Sequence, residues 1–173
     1  MPKKNTTRRL TTCALLAALG VVLLYLGSMI EVLDISMAVI VSLFCIFAVI
    51  EYGGSAPWLI YTVTAVLSLL LLPNKTPAVL YLLFFGYYPI LKEKLERKSR
   101  PVSWILKELI FHAALVVMLV LYHITLTAEN ASPWFFYAAF ILLAEIAFPL
   151  YDIALTRLIS LYLFKLRKLF RIQ

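Results

Sequence analysis

Apolar runs separated by short polar links divide the chain into six segments. The runs cover residues 10–30, 35–50, 57–72, 77–91, 102–125 and 134–164. A helix needs about 20 mostly apolar residues to cross a membrane, so the pattern predicts six transmembrane helices in one all-α membrane domain. Residues 92–101 form a basic loop between the fourth and fifth helices, and residues 165–173 form a basic amphipathic tail suited to an anionic membrane surface.

Turn-forming residues mark several of the predicted helix ends. Residues 31–34 form a short acidic link after the first helix. Gly53 and Gly54 provide tight backbone geometry after the second helix, and Pro57 is well placed to begin the third. Prolines at both ends of residues 73–77 predict a stiff corner before the fourth helix.

The basic residues predict the orientation of these helices. If the N-terminus lies in the cytoplasm, every Lys and Arg except Lys75 falls on the cytoplasmic side, as the positive-inside rule requires. We therefore expect both termini inside a bacterial cytoplasmic membrane, with residues 10–30 as an uncleaved first span. The basic residues then act as topology signals, and no nucleic-acid partner is expected.

Composition narrows the possible functions. The chain is 64% hydrophobic and 14% charged, against roughly 25% charged residues in soluble domains, which leaves no room for a separate catalytic domain. The sequence contains no zinc-protease, serine-hydrolase or Walker motif, so neither an enzyme nor a bound cofactor is expected. Cys13 and Cys45 fall inside predicted spans and behave as small buried residues.

Ionisable groups inside the spans are the first candidates for function, because they are costly in a membrane. Glu145 and His112 fall at similar depths, so a hydrogen bond between them is possible. A mixed-sign group closer to the cytoplasm consists of Lys107, Glu108, Asp152 and Arg157. One interpretation is that these ions, with His112, pair between the last two helices and fix their packing. The other is that Glu145 is a ligand or proton site, on a helix in which Pro149 predicts a kink or a break.

Polar and aromatic residues at the outer helix ends suggest a solute pocket, because a pocket combines apolar walls with a few orienting polar groups. The candidates for solute binding are Asn74, Lys75, Tyr81, His123, Trp134 and, deeper, Glu145. The residues expected near the same mouth are Glu31, Asp34, Glu129, Asn130 and Tyr137. Lys75 is the one cation expected outside and would meet an anionic group. The alternative is that these loop residues are simply solvated.

Small residues line the first predicted helix. The segment opens with Arg8 and Arg9, followed by Leu-Thr-Thr-Cys-Ala-Leu-Leu-Ala-Ala-Leu over residues 10–19. Ala14 and Ala18 share one helix face, and Ala17 lies on the neighbouring face. Small residues let another helix backbone approach closely, so these alanines predict a helix-packing surface.

In size, span number, inside termini and this basic then alanine-rich first helix, the chain resembles the substrate-binding S components of energy-coupling-factor (ECF) vitamin transporters. The resemblance implies that Ala14, Ala17 and Ala18 dock on a transmembrane T protein, and that two cytoplasmic ABC ATPases supply the energy. The chain itself would capture a small solute, such as a vitamin, at its outer end. No vitamin-specific motif identifies the solute.

Two other functions fit the same pattern. A structural scaffold of the bacterial cell-wall machinery, similar to the rod-shape-determining D protein, would use the small-residue faces for assembly and bind no solute. A stand-alone channel or exporter would be built around Glu145 and His112. The partners expected from the sequence therefore differ, although all three hypotheses place the chain in the lipid bilayer.

Overall fold

The computed structural model describes residues 3–125 and 134–166. The elements, in chain order, are α1 (Lys3–Met29), a 3-10 turn (Glu31–Leu33), α2 (Asp34–Glu51), α3 (Ala56–Leu71), α4 (Thr76–Leu80), a π-helical turn (Tyr81–Phe85), α5 (Tyr88–Leu95), α6 (Arg100–Thr125), α7 (Trp134–Leu161) and a second π-helical turn (Tyr162–Leu166). These ranges contain no strand, so the predicted all-α fold class is confirmed.

Four stretches of these helices are long and apolar enough to cross a membrane. They are Thr7–Met29, Asp34–Glu51, Arg100–Leu121 and Ala138–Phe164. The helix α3 is equally apolar but shorter, at 16 residues. The composition of these helices agrees with the prediction of a membrane protein.

The described residues divide into two compact units, the first ending at Met118 and the second beginning at Leu119. In the first unit, α1 packs against α2 and α3, and α2 also contacts α4 and α5. Much of this core is small: Ala17, Ala38, Cys45 and Ala65 are all buried in it. Small side chains bring helix backbones close together, which is how helices pack when lipid leaves little hydrophobic driving force. The predicted burial of Cys13 and Cys45 is confirmed.

The fourth predicted span, residues 77–91, is interrupted in the structure. The backbone N–H of Gly86 donates to the carbonyl of Tyr81 at 2.8 Å, which closes a π-helical turn and leaves the Leu82 carbonyl without its usual α-helical donor. The Tyr61 hydroxyl donates to Leu82 instead, at 3.0 Å. Pro89 has no N–H for the carbonyl of Phe85, so α5 begins as a new helix at Tyr88.

The second unit contains the end of α6, all of α7 and the π-helical turn after it. Helix α7 continues through Pro149 without ending there. The predicted outer loop with Glu129 and Asn130, and residues 167–173 of the predicted tail, lie outside the described residues.

Candidate functional site

A buried carboxylate marks one end of the first unit. Asp34 is the first residue of α2, directly after the 3-10 turn, and only 6% of it is exposed. An acidic residue in the first helical turn is favoured by the positive end of the helix dipole. The amide Nδ2 of Asn74 donates to Asp34 Oδ2 at 3.3 Å. The turn before α2 and the turn before α4 are therefore joined by a polar contact.

The orientation of the Asn74 amide is fixed by its own turn. Asn74 Oδ1 accepts hydrogen bonds from the backbone N–H of Thr76 at 3.0 Å and from its hydroxyl at 2.8 Å. Because the amide oxygen is occupied, the amide nitrogen is the group directed at Asp34. Lys75 lies in the same turn, with its ammonium donating to the Leu72 carbonyl at 2.5 Å. We call Asp34, Asn74, Lys75 and Thr76 the Asp34 site.

The Asp34 site combines a buried acceptor with an exposed cation. The carboxylate can accept hydrogen bonds from a hydroxyl, amine or ring N–H of a solute. The Lys75 side chain, exposed in the same turn as Asn74, can pair with a carboxylate or phosphate. The predicted candidates Asn74 and Lys75 therefore lie in one turn, and Asn74 has the buried Asp34 as its hydrogen-bond partner. Ser68 was not predicted as a candidate. It is a fully buried serine in the last turns of α3, and its hydroxyl has no hydrogen-bond partner among the described residues.

Tyr81, a predicted solute ligand, is a core residue. It is fully buried, and its hydroxyl lies 3.2 Å from the sulfur of Cys45. Its ring packs against Tyr61 at a centroid distance of 6.1 Å. These contacts assign Tyr81 to the packing around the π-helical turn.

The remaining predicted solute ligands lie in the second unit. His123 is exposed near the end of α6, and Glu145 is half-buried in the middle of α7. Trp134 begins α7, but its side chain lies outside the described residues, as does the side chain of Tyr137. The structure therefore places two of the six candidates, Asn74 and Lys75, in the Asp34 site.

The three alanines of the predicted coupling face fall on different surfaces of α1. Ala17 is 2% exposed and belongs to the core. Ala14 and Ala18 are exposed, beside Leu15 and Leu19. Ala17 therefore packs inside the chain, and only Ala14 and Ala18 are accessible to a partner helix.

The members of the predicted intramembrane ion group belong to two different units, and each is described within its own unit. Lys107 is 3% exposed and pairs with Glu96, at the end of α5, at 3.0 Å. His112 lies on the surface of α6, where its Nδ1 contacts the backbone carbonyl of Glu108 at 2.8 Å and its carboxylate at 3.8 Å. In the second unit, Asp152 is buried and Arg157 is exposed.

Glu96 forms ion pairs with two lysines, Lys92 and Lys107. Neither ion pair was predicted from the sequence. Lys92, 1% exposed, contacts the same Glu96 oxygen as Lys107, at 2.7 Å. Partial burial raises the pKa of Glu96, but hydrogen bonds from the two lysines outweigh this effect and hold the pKa below its ordinary value of 4.5. These ion pairs therefore stabilise the fold above that value and are lost as the pH falls through the lowered pKa. The sequence does carry a signal for the first of these ion pairs, because Lys92 and Glu96 are four residues apart and so lie next to each other on a helix.

Arg9 anchors the start of α1 to the turn between α2 and α3. Its guanidinium donates to the Gly53 carbonyl at 3.0 Å and lies 5.9 Å from the centre of the Tyr52 ring. Gly53 and Gly54 have φ values of +56° and +57°, a conformation that other residues rarely adopt. The turn ends α2, where carbonyls lack helical partners and the dipole favours a cation.

Arg9→Ala is expected to lower the free energy of unfolding by about 2 kcal/mol, because a charged hydrogen bond and a cation–π contact are both lost. Thermal unfolding in detergent measures the change. Arg8→Ala is the matched control, since it removes the same charge from an exposed neighbour and should leave the midpoint nearly unchanged. Equal losses in the two variants would show that the charge, and not the Gly53 contact, is what matters.

Comparisons with known proteins add no relatives to this description: no protein-family model matches the chain, and neither a curated protein nor a solved structure matches it at a significant level.

Proposed function

We propose that this chain is the solute-capturing S component of an ECF-type importer for a vitamin or a related small micronutrient. The observation that carries the proposal is the Asp34 site, in which a buried carboxylate is held at the ends of apolar helices by Asn74. An ionisable residue within membrane-spanning segments is a functional candidate by default, because its burial is costly. The distribution of Lys and Arg supports six spans with both termini in the bacterial cytoplasm.

The chemistry of the Asp34 site defines the solute that it would select. Asp34 would bind a donor group, either neutral or cationic, while Lys75 would bind an acidic group at the exposed rim. Apolar helix ends around them would cover the rest of a small molecule. A polar or zwitterionic micronutrient with a donor at one end and an acid at the other satisfies both residues.

The exposed face of α1 supports the second part of the proposal, coupling to a partner. Ala14 and Ala18 are one turn apart and exposed, so a helix of a T protein would be able to approach the α1 backbone closely there. The T protein would carry the force of two cytoplasmic ATPases, which reorient the S component and release the solute inside.

Asp34→Asn is expected to remove a solute that copurifies with the wild-type chain. The substitution keeps the size of the side chain but removes its charge, and a hydrogen bond to a charged group contributes about 1.5–3 kcal/mol, equivalent to roughly 10-fold to 100-fold in affinity. Native mass spectrometry of the protein in mild detergent measures the bound mass. The control is Ser36→Ala, an exposed position on the same helix turn. A bound solute that survives Asp34→Asn would contradict the site.

Ala14→Trp combined with Ala18→Trp is expected to abolish recovery of the T protein and the ATPases in a pull-down from native membranes. Two indole rings on this face would keep a partner backbone at a distance. Val63→Trp is the control, because it adds the same ring to an exposed position of α3. Assembly that survives both alanine substitutions would contradict the coupling face.

The same exposed alanines would also suit a structural scaffold, and the pull-down separates the two functions. Recovery of cell-wall elongation proteins alone, with no ATPase, would favour the scaffold. Solute flux through the purified chain without any partner would favour a channel, and in that case Glu145→Gln should abolish flux.

A further inference from the structure

The segment between α5 and α6 is the strongest candidate for a second site. It contains the cations Lys92, Lys94, Arg97, Lys98 and Arg100 within nine residues, together with Glu93 and Glu96. Helix α6 begins at Arg100 and is apolar enough to cross a membrane. If α6 crosses, this segment lies at a membrane surface, whichever side that is.

Both acidic residues of the segment are already paired. Glu96 contacts Lys92 at 2.7 Å and Lys107 at 3.0 Å, and Glu93 forms an ion pair with Arg97 one turn away. Neither carboxylate contacts the other cations of the segment. Three exposed cations, Lys94, Lys98 and Arg100, form no ion pair within the described residues. The segment therefore presents positive charge that its own acids do not neutralise.

The Lys92–Glu96–Lys107 cluster holds this surface in place. Lys92 and Lys107 are almost fully buried and approach one oxygen atom, so the end of α5 is fastened to the second turn of α6. When the backbone is fastened in this way, binding an anion must order only the exposed side chains, which costs less conformational entropy than ordering a flexible loop. The turn thus has the preorganisation that a binding site needs.

Apolar side chains continue directly from the cations along α6. Val102, Ile105 and Leu109 are exposed and share one helix face, since they are three and four residues apart. Trp104, also exposed, has its ring 5.5 Å from the ammonium of Lys107, and tryptophan is enriched at membrane interfaces. A charged rim followed by an apolar surface matches a molecule with an anionic head and hydrocarbon chains.

We propose that the turn between α5 and α6 binds the phosphate headgroup of an anionic phospholipid through Lys94, Lys98 and Arg100, with the acyl chains along Val102, Ile105 and Leu109. A free phosphate would use the three cations but none of the apolar surface. Basic groups at a membrane surface attract anionic lipid with roughly a fivefold gain in affinity per residue. The proposal requires only that α6 cross a membrane, so it stands apart from the proposed transport of a solute.

The test titrates the purified full chain in detergent with phosphatidylglycerol or phosphatidylcholine and counts bound lipids by native mass spectrometry. The expected result is tighter binding of phosphatidylglycerol, weakened by roughly 100-fold in the variant Lys94→Gln, Lys98→Gln, Arg100→Gln. The control variant, Lys4→Gln, Arg8→Gln, Arg157→Gln, loses the same three charges outside the turn between α5 and α6 and should weaken binding much less. Equal binding of the two lipids, or equal loss in the two variants, would overturn the proposal.

A second measurement needs no change in the basic residues. With Trp58→Phe and Trp134→Phe, Trp104 is the only tryptophan left, and brominated phosphatidylglycerol should quench its fluorescence more than brominated phosphatidylcholine at the same mole fraction. Equal quenching by the two lipids would show that no anionic lipid is bound as proposed.

Discussion

Ala17→Trp is expected to prevent α1 from assembling with α2 and α3, whereas Ala18→Trp, one residue along, leaves the fold intact. Ala17 is buried in the core, and its carbonyl accepts a 3.5 Å hydrogen bond from the hydroxyl of Thr64. Helices α1 and α2 also approach closely at Gly20, where an added Cβ would lie 3.0 Å from the Val41 side chain. Overpacking a core costs about 1–3 kcal/mol for small additions, and an indole exceeds that range.

Size-exclusion chromatography and thermal unfolding in detergent measure the outcome. The Ala17→Trp protein should aggregate or unfold at a much lower temperature, and the Ala18→Trp protein should match the wild type because its side chain is exposed. A wild-type midpoint for Ala17→Trp would mean that α1 contacts its neighbours through another face. The Ala18 result also matters for the proposed coupling face, because a loss of partners is informative only in a folded variant.

Gly86→Ala is expected to destabilise the protein by about 2–3 kcal/mol through overpacking beside the π-helical turn. An added Cβ would lie 2.5 Å from Cδ2 of Tyr61 and 2.9 Å from Cε1 of Tyr81. Tyr81 is fully buried, and the hydroxyl of Tyr61 is held by the Leu82 carbonyl. Neither ring can move away without breaking a contact.

A double-mutant cycle with Tyr61→Ala tests this explanation by thermal unfolding. Removing the Tyr61 ring clears the closest contact, so Gly86→Ala should cost less in the Tyr61→Ala background than in the wild type, and the two changes should not add. A cost that is the same in both backgrounds would show that the tyrosine contact is not the cause.

The ends of the helices were predictable because local residues determine them. The acidic link before α2, the two glycines before α3 and the prolines around residues 73–77 lie within a few residues of observed helix ends. The interruption after Phe85 was not predicted, although Pro89 was visible. The Leu82 carbonyl freed by the π-helical turn accepts a hydrogen bond from Tyr61 on another helix, and such a partner has no signature in the local pattern.

The candidate site was predictable only in part, for the same reason. Asn74 and Lys75 stood out as polar residues in a proline-bracketed turn, but the burial of Asp34 depends on a contact made 40 residues along the chain. The sequence of α1 identified its small residues but did not show which of them are buried against other helices. The neighbours Ala17 and Ala18 have the same side chain, and only the packing of α2 and α3 distinguishes them.

The contacts at the two ends of α2 make the crossing of one helix depend on the others. Arg9 meets Gly53 at one end, and Asp34 meets Asn74 at the other. Over 18 residues, α2 extends about 27 Å at 1.5 Å per residue, close to the roughly 30 Å of a bilayer core. The two contacts lie at opposite ends of the bundle of α1, α2 and α3. If a bilayer core lies between them, it contains the middle of all three helices. In that arrangement the short helix α3 would cross together with its neighbours, although it has only 16 residues.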